Sequence, residues 1–327
     1  MKKVVGIIFL SLTLLACGGS SDEGSDQLNT EEQAKLAQDY VDEILQIMKN
    51  HAVTRYQVNW GELEAEVHTL AANAKNIQGT YRAIIKALEL LGTNHSWVRS
   101  SDGQVVAYHS DIVCSQDFEI NRPQDENIGY LRVDGFVSSS ELGAKNFATN
   151  IQAEIAAQDS ASLDGWIVDL RDNGGGNMWP MIAGIGPLLG DGLYGHFVDA
   201  DEQVVRWGYE NGASYIEDMD VVTVDEPYSL LNPQPKIAVL SSARVGSSGE
   251  ATLIAFKKHF NVRIFGTDSC GVSTSNEVFP LSDGGQLVLT TAIMADRELQ
   301  KYGGRVSVDQ SEEQANVVNK AIAWIKN

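Results

Sequence analysis

"PKIAVLSSARVGSSGEATLIAFKKH", residues 235–259, decides the fold. Lys236 to Ser242 is a mostly apolar run of strand length, and Ser248 to His259 reads as a helix. Between them stands a turn of small residues, Gly246-Ser247-Ser248-Gly249. The same hand-over recurs along the chain. "IGYLRVDGF" (128–136) alternates like a strand and precedes the helical "SELGAKNFATNIQAEIAA" (140–157). "GWIVDLR" (165–171) precedes the helical "MWPMIAGIGPLLG" (178–190), and "NVRIFG" (261–266) is a further strand. Strands alternating with helices imply an α/β layer structure.

Other elements follow outward from that core. "TEEQAKLAQDYVDEILQIMKNH" (30–51) has helical apolar spacing and a capping box from Thr30 to Gln33. "WGELEAEVHTLAANAKN" (60–76) and "TYRAIIKALELLG" (80–92) add two helices, the second ended by Gly92. Residues 30–95 therefore form an N-terminal helical domain, and 96–327 form the core domain. Residues 190–235 interrupt the core with glycines, aromatics and acids but no helical period, and read as an inserted β-rich flap. "LSDGGQLVLTTAIMA" (281–295) reads as a hairpin turning at Asp283-Gly284, and "SEEQANVVNKAIAWIK" (311–326) as a closing amphipathic helix.

Composition bounds the function. The chain has 327 residues, 43% hydrophobic and 21% charged, which is ordinary for a globular protein. Its formal charge of −20 repels phosphate backbones, so nucleic acid is excluded as a partner. "MKKVVGIIFLSLTLLAC" has two lysines, an apolar run and a small residue before Cys17, the pattern of a signal peptide. "LLAC" resembles a bacterial lipobox, which implies residues 1–16 as signal, Cys17 as lipidation site and 17–29 as a polar tether. The expected location is the cell envelope, on the periplasmic face of the outer membrane in a Gram-negative cell. Cys114 and Cys270 remain, and in an exported chain they either pair or stay as buried thiols. No cluster of cysteine and histidine has metal-ligand spacing, and no metal or cofactor is expected.

Two stretches carry chemistry. Ser247 stands where a strand meets a helix N-terminus, whose free N–H groups carry partial positive charge. A serine there is either a helix cap or a nucleophile whose oxyanion those amides stabilise. "DLRDNGGGN" (169–177) puts three glycines after a strand, either as a tight turn or as amides aimed at an anion. A serine nucleophile needs a base. His95, in the polar loop "LGTNHSWV", is the best candidate, because His259 lies at the far end of the helix, more than about 10 Å off.

Together these stretches resemble the C-terminal-processing (tail-specific) serine peptidase family. "DLRDNGGG" is similar to its glycine block, "VGSSGE" to its nucleophile block, "FPLSDGGQLVLTTA" to the block that follows, and "IGYLRVDGF" to its first core strand. The resemblance spans about residues 40 to 325 and implies a crotonase/ClpP-like core. It assigns Ser247 as nucleophile, the N–H groups of Gly175 and Ser248 as oxyanion hole, and Glu250 either as a ligand for a basic group or as a carboxylate stabilising the first helical turn. Val272 occupies the position where many members carry a catalytic lysine. The histidine-using branch, which includes the tricorn core and the nisin-resistance protein, is the better match, with "TNHS" supplying His95 and "GVSTSN" also agreeing. The short interval between His95 and Ile128 leaves no room for a PDZ domain. The group that orients His95 is left open between Asp296 and Asp309, since Thr93 stands where an aspartate is usual.

The resemblance thus implies an exported, lipid-anchored serine peptidase acting on peptide or protein substrates, with Ser247 and His95 forming and resolving an acyl-enzyme. The acidic insertion suggests cationic peptides. The alternative is a non-catalytic peptide-binding lipoprotein, motivated by Val272 and Thr93. A crotonase-like acyl-CoA enzyme shares the core but finds no CoA signal in this chain.

Overall fold

The computed structural model describes residues 29–327; the signal, Cys17 and most of the tether lie outside them. The chain begins with three helices, α1 (Thr30–His51), α2 (Trp60–Ala71) and α3 (Tyr81–Leu91). The apolar spacing of α1 buries Tyr40, Val41, Ile44, Leu45 and Met48. Its capping box sits one residue earlier than expected: Asn29 accepts from the Glu31 and Glu32 amides, and Glu32 accepts from the Asn29 amide. Helix α3 stops where Gly92 takes a left-handed conformation, φ 72°. Two short strands follow, β1 (Trp97–Arg99) and β2 (Val105–Tyr108).

The core then builds in order: β3 (Ile128–Arg132), α4 (Glu141–Gln158), β4 (Gly165–Asp169), α5 (Met178–Leu189), β5 (Gly192–Asp199), β6 (Val204–Glu210), β7 (Ala213–Ile216), β8 (Met219–Thr223), β9 (Lys236–Ser241), α6 (Ser248–Phe256), β10 (Val262–Gly266), β11 (Thr274–Pro280), β12 (Gln286–Asp296), β13 (Gln310–Ser311) and α7 (Val317–Lys326). Five strands make a parallel sheet in the order β13-β10-β9-β4-β3. Trp166, Val168 and Val239 face a core shared with α4, α5 and α6. Ile167, Ala238 and Leu240 face α7. Both faces are covered, which is why these strands read as continuous apolar runs. The closing helix is shorter than the sequence suggested, starting at Val317.

The other strands form an antiparallel sheet, β2-β1-β12-β5-β6-β7-β8, with β11 on the second edge of β12. Its β1, β12, β11 end lies on the helical domain, where Val98, Leu287 and Leu289 join the core of α1 and α3. The expected flap is β-rich, but it is built into the sheet: β5 pairs with β12, and Tyr194, Trp207 and Tyr209 are buried in the main core. Burying three aromatic side chains outweighs any freedom the segment would have as a separate lid.

Residues 109–127 run as an irregular strap across the carboxyl ends of the parallel strands. A disulfide joins Cys114 to Cys270, settling the choice left open by the sequence. Phe118 lies between two guanidinium groups, 5.7 Å from Arg171 and 4.3 Å from Arg244. Arg244 donates to the Gln116 carbonyl at 2.7 Å. Arg171, fully buried, pairs with Asp169 at 2.6 Å and reaches the Asn121 carbonyl at 2.8 Å.

Candidate active site

Ser247 is the N-cap of α6, at φ 54° and ψ −121°. A non-glycine residue there costs about 1–3 kcal/mol and persists only when its surroundings enforce it. The same strained strand-to-helix turn lifts the serine of a nucleophile elbow away from the backbone. The enforcing contacts are local. The Gly246 amide donates to the Asn173 carbonyl at 3.1 Å, and the Ser247 amide donates to Glu250 Oε2 at 2.9 Å. Gly249 approaches so closely that a Cβ there would lie 2.1 Å from the Asn173 carbonyl oxygen.

The glycine loop is pressed against this turn. Gly175 has φ 104°, and a Cβ on it would stand 2.7 Å from the Gly246 carbonyl and 2.9 Å from both Ser247 Cβ and the Ser248 nitrogen. The expected oxyanion donors are therefore side by side. They differ in availability: the Gly175 amide donates to Asn173 Oδ1 at 3.0 Å, so an arriving oxyanion would share or displace that bond. The Ser248 hydroxyl donates to the Gly176 carbonyl at 2.5 Å, fastening the loop to the helix start.

Glu250 does not face a substrate cleft. It is fully buried. Oε2 accepts from the Ser247 and Val272 amides, both at 2.9 Å; Oε1 accepts from the Gly271 amide at 2.8 Å and the Ser269 hydroxyl at 2.5 Å. Burial pushes its carboxyl up to about 7, against the pull of those four donors. The expected substrate contact is thus corrected: the carboxylate is a clamp between the Ser247 turn and residues 269–272. The sequence pattern placed it in the first turn of the helix, but only the tertiary fold turns it inward.

Residues 269–274 lead on to His95. Val272 is buried, and its Cγ2 would lie 3.5 Å from a Cβ on Gly246. Two residues further, the Thr274 hydroxyl meets His95 Nδ1 at 2.8 Å. Asn276 donates to the His95 carbonyl at 3.0 Å, and Thr93 joins the Ser96 hydroxyl at 2.7 Å, which in turn reaches Thr290. The side chain that meets the His95 ring is therefore Thr274, and neither aspartate does. Asp296 is occupied by the Glu298 and Gln300 amides and the Tyr302 hydroxyl, and Asp309 by Lys257 and the Ile264 amide. With its proton on Nδ1, His95 donates to Thr274 and leaves the Nε2 lone pair free. Burial lowers its pKa to about 4, so the imidazole is neutral across the physiological range. Ser247 and His95 are tied through the 269–274 segment, and no direct hydrogen bond joins their side chains. Thr274 was missed because a hydroxyl 179 positions away from His95 carries no local signal.

Among the described residues, no group of three His, Cys, Asp or Glu side chains could hold a metal ion, and no helix is long and apolar enough to cross a membrane. A cavity of about 1020 Å³, lined by Asp117, Glu119, Glu312 and Glu313, lies between the strap and the segment after β13, away from Ser247 and His95.

Residues 127–309 match the model of peptidase family S41. The chain is similar to the nisin-resistance protein of Lactococcus lactis subsp. lactis, with 28% identity over 293 residues that cover 89% of this chain and 87% of that protein. It is also 28% identical over 167 residues to a carboxy-terminal-processing protease of Bartonella bacilliformis, covering 51% of this chain and 34% of that one. Among solved structures, a lipoprotein from Streptococcus agalactiae superposes with TM-score 0.69 at 23% identity, over 89% of this chain and 96% of that one. The photosystem II D1 C-terminal processing protease superposes with TM-score 0.53 at 15% identity, over 89% and 97%. These likenesses share the fold: N-terminal helices, a parallel sheet and an antiparallel sheet.

Proposed function

The chain belongs to peptidase family S41 and is a serine-type peptidase; from that premise we propose that Ser247 is its nucleophile and His95 its general base. The observation that carries this is the backbone of Ser247, held at φ 54° on a helix N-terminus against the Gly175 loop. A cap alone needs no such strain, whereas an exposed nucleophile facing two amides does.

In this reading Ser247 Oγ attacks the scissile carbonyl carbon while His95 Nε2 takes the hydroxyl proton. The carbonyl oxygen becomes an oxyanion facing the Ser248 and Gly175 amides, the latter released from Asn173. Collapse breaks the C–N bond, and His95 returns the proton to the leaving amine. Water then attacks the acyl-serine by the same route and restores the enzyme. The consecutive order of the parallel strands β3, β4, β9 and β10 suits the crotonase/ClpP-like spiral expected of such a core. The Cys114–Cys270 disulfide suits an oxidising, exported setting, and the lipobox-like Cys17 supports a lipid anchor.

The test is cleavage of a diverse peptide mixture, read by mass spectrometry, by the unaltered chain, Ser247→Ala and His95→Ala. Loss in both variants supports the assignment. Cleavage that survives Ser247→Ala refutes the nucleophile. Capture of peptides without cleavage by any form would favour the binding-protein alternative.

A further inference from the structure

His95 and Ser247 stand on different sheets. The His95 loop is held by the antiparallel sheet: Thr274 and Asn276 of β11 meet it, and Ser96 bonds Thr290 of β12. Ser247 follows β9 of the parallel sheet and opens α6. With no direct hydrogen bond between the two side chains, their spacing depends on the connections that cross from one sheet to the other.

Two such connections pass beside the site. One is the strap from β2 to β3, residues 109–127; the other, 267–273, runs from β10 to β11. The Cys114–Cys270 disulfide joins them. Cys114 Sγ and Cys270 Cβ each lie 3.5 Å from where a Cβ on Gly246 would stand, so the bond packs on the Ser247 turn. The Cys270 amide donates to the Val245 carbonyl at 2.7 Å. Three residues before Cys114, the Asp111 amide donates to Asn94 Oδ1 at 2.8 Å. Asn94 adjoins His95 and is left-handed, φ 56°, a conformation that asparagine tolerates. The stretch 111–114 thus runs from the His95 loop to the Ser247 turn, and three residues of chain span at most about 10 Å. The Ser110 hydroxyl accepts from the Ile112 amide at 3.1 Å, a local turn that stiffens its start.

We propose that the Cys114–Cys270 disulfide is a thiol-sensitive positioning bond: oxidised, it holds the His95 loop at catalytic distance from the Ser247 turn; reduced, it lets the two drift apart. The proposal rests on the reading of Ser247 and His95 as nucleophile and base. Val113 is 73% exposed and Cys270 1%, so a thiolate arrives from the strap side. It bonds to Cys114 Sγ, the bond to Cys270 breaks, and Cys270 leaves as a thiolate. The second thiol of the same dithiol then displaces Cys114 and closes a disulfide of its own. Two electrons and two protons pass to the chain, and the co-reactant is a dithiol, small or protein-borne. Beyond residue 115 the strap keeps its Arg171 and Arg244 contacts, so reduction frees 109–115 rather than the fold.

The experiment uses the full-length chain in detergent, oxidised or treated with dithiothreitol, with free thiols counted by mass spectrometry. Full reduction should lower kcat for one peptide about 10-fold to 100-fold, the cost of a misplacement of about 1 Å, with KM unchanged and recovery on reoxidation. The double variant Cys114→Ser/Cys270→Ser should match the reduced level and ignore dithiothreitol. Asn94→Gly permits the left-handed backbone but removes the acceptor, and should show the same low kcat in both redox states. Asn94→Asp keeps the acceptor and should keep the response. Unchanged kcat in the fully reduced chain overturns the proposal. So does outright unfolding on reduction, because the bond then serves the whole fold. If the oxidised chain cleaves nothing, the peptidase assignment of the pair fails, and hydrogen exchange decides the tie by itself. Faster exchange at 92–96 on reduction, with no further rise in Asn94→Gly, keeps the tie; equal exchange in both redox states overturns it.

Discussion

Replacing Thr274 by aspartate tests the base and its orienting group together. Thr274 is a neutral partner, so nothing anionic at Nδ1 offsets the burial that holds His95 at about 4. A carboxylate at that distance from an imidazolium raises its pKa to roughly 5–7. The assay is the pH dependence of kcat/KM for one peptide between pH 3 and 9. The unaltered enzyme should show its acid limb near pH 4, because His95 is already neutral above it. Thr274→Asp should move the limb upward, losing about 2-fold to 100-fold at pH 5 across that range while staying active at pH 8. Thr274→Val, which leaves Nδ1 without its partner, should lower kcat at every pH without moving the limb. Stability gives an independent reading. A histidine whose folded pKa is depressed leaves the unfolded chain binding the extra proton between about 4 and 6.5. The fold therefore loses about 3 kcal/mol as pH falls through that window, and Thr274→Asp should recover part of it. An acid limb near 6.5 that ignores both substitutions would refute this account of His95.

Three further outcomes follow from the site. Glu250→Gln turns an amide NH₂ toward two of the four donors and should cost about 3–5 kcal/mol in denaturant unfolding, with kcat falling because the Ser247 turn loses its clamp. Gly175→Ala puts a Cβ 2.7 Å from the Gly246 carbonyl at a φ of 104°; activity should fall by at least about 100-fold, and a variant of full activity would remove Gly175 from the oxyanion site. Cys114→Ser opens a loop of sequence separation 156, so the thermal midpoint should drop with a loss of up to about 5 kcal/mol; an unchanged midpoint would mean that the Arg171 and Arg244 contacts with Gln116, Phe118 and Asn121 hold the strap without the disulfide.

What the sequence discloses depends on how local the cause is. Helices α1 and α3 and the βα hand-overs were legible because apolar period and a terminal glycine act within a few residues. The strand-to-helix turn from Gly246 to Gly249 was legible for the same reason, while the choice of Ser247 within it came from the family resemblance and not from local geometry. Strands β1 and β2 were not, since three or four residues cannot display an alternation. The insertion between α5 and β9 showed strand character but not its partner, because pairing of β5 with β12 joins residues nearly a hundred positions apart. Glu250 shows the limit most clearly. Its place in the first turn of a helix was evident, but whether it met solvent, substrate or buried amides depended on residues 269–272 arriving from elsewhere.

The left-handed turn at Ser247 has an evolutionary side. At φ 54° and ψ −121° a glycine would relax where serine is strained. Selection for stability alone would therefore drive position 247 toward glycine and erase the hydroxyl. A chain that keeps serine there retains a residue its own fold disfavours. Across related sequences, identity at this position would separate active lineages from those drifting into disuse, a census needing neither substrate nor assay.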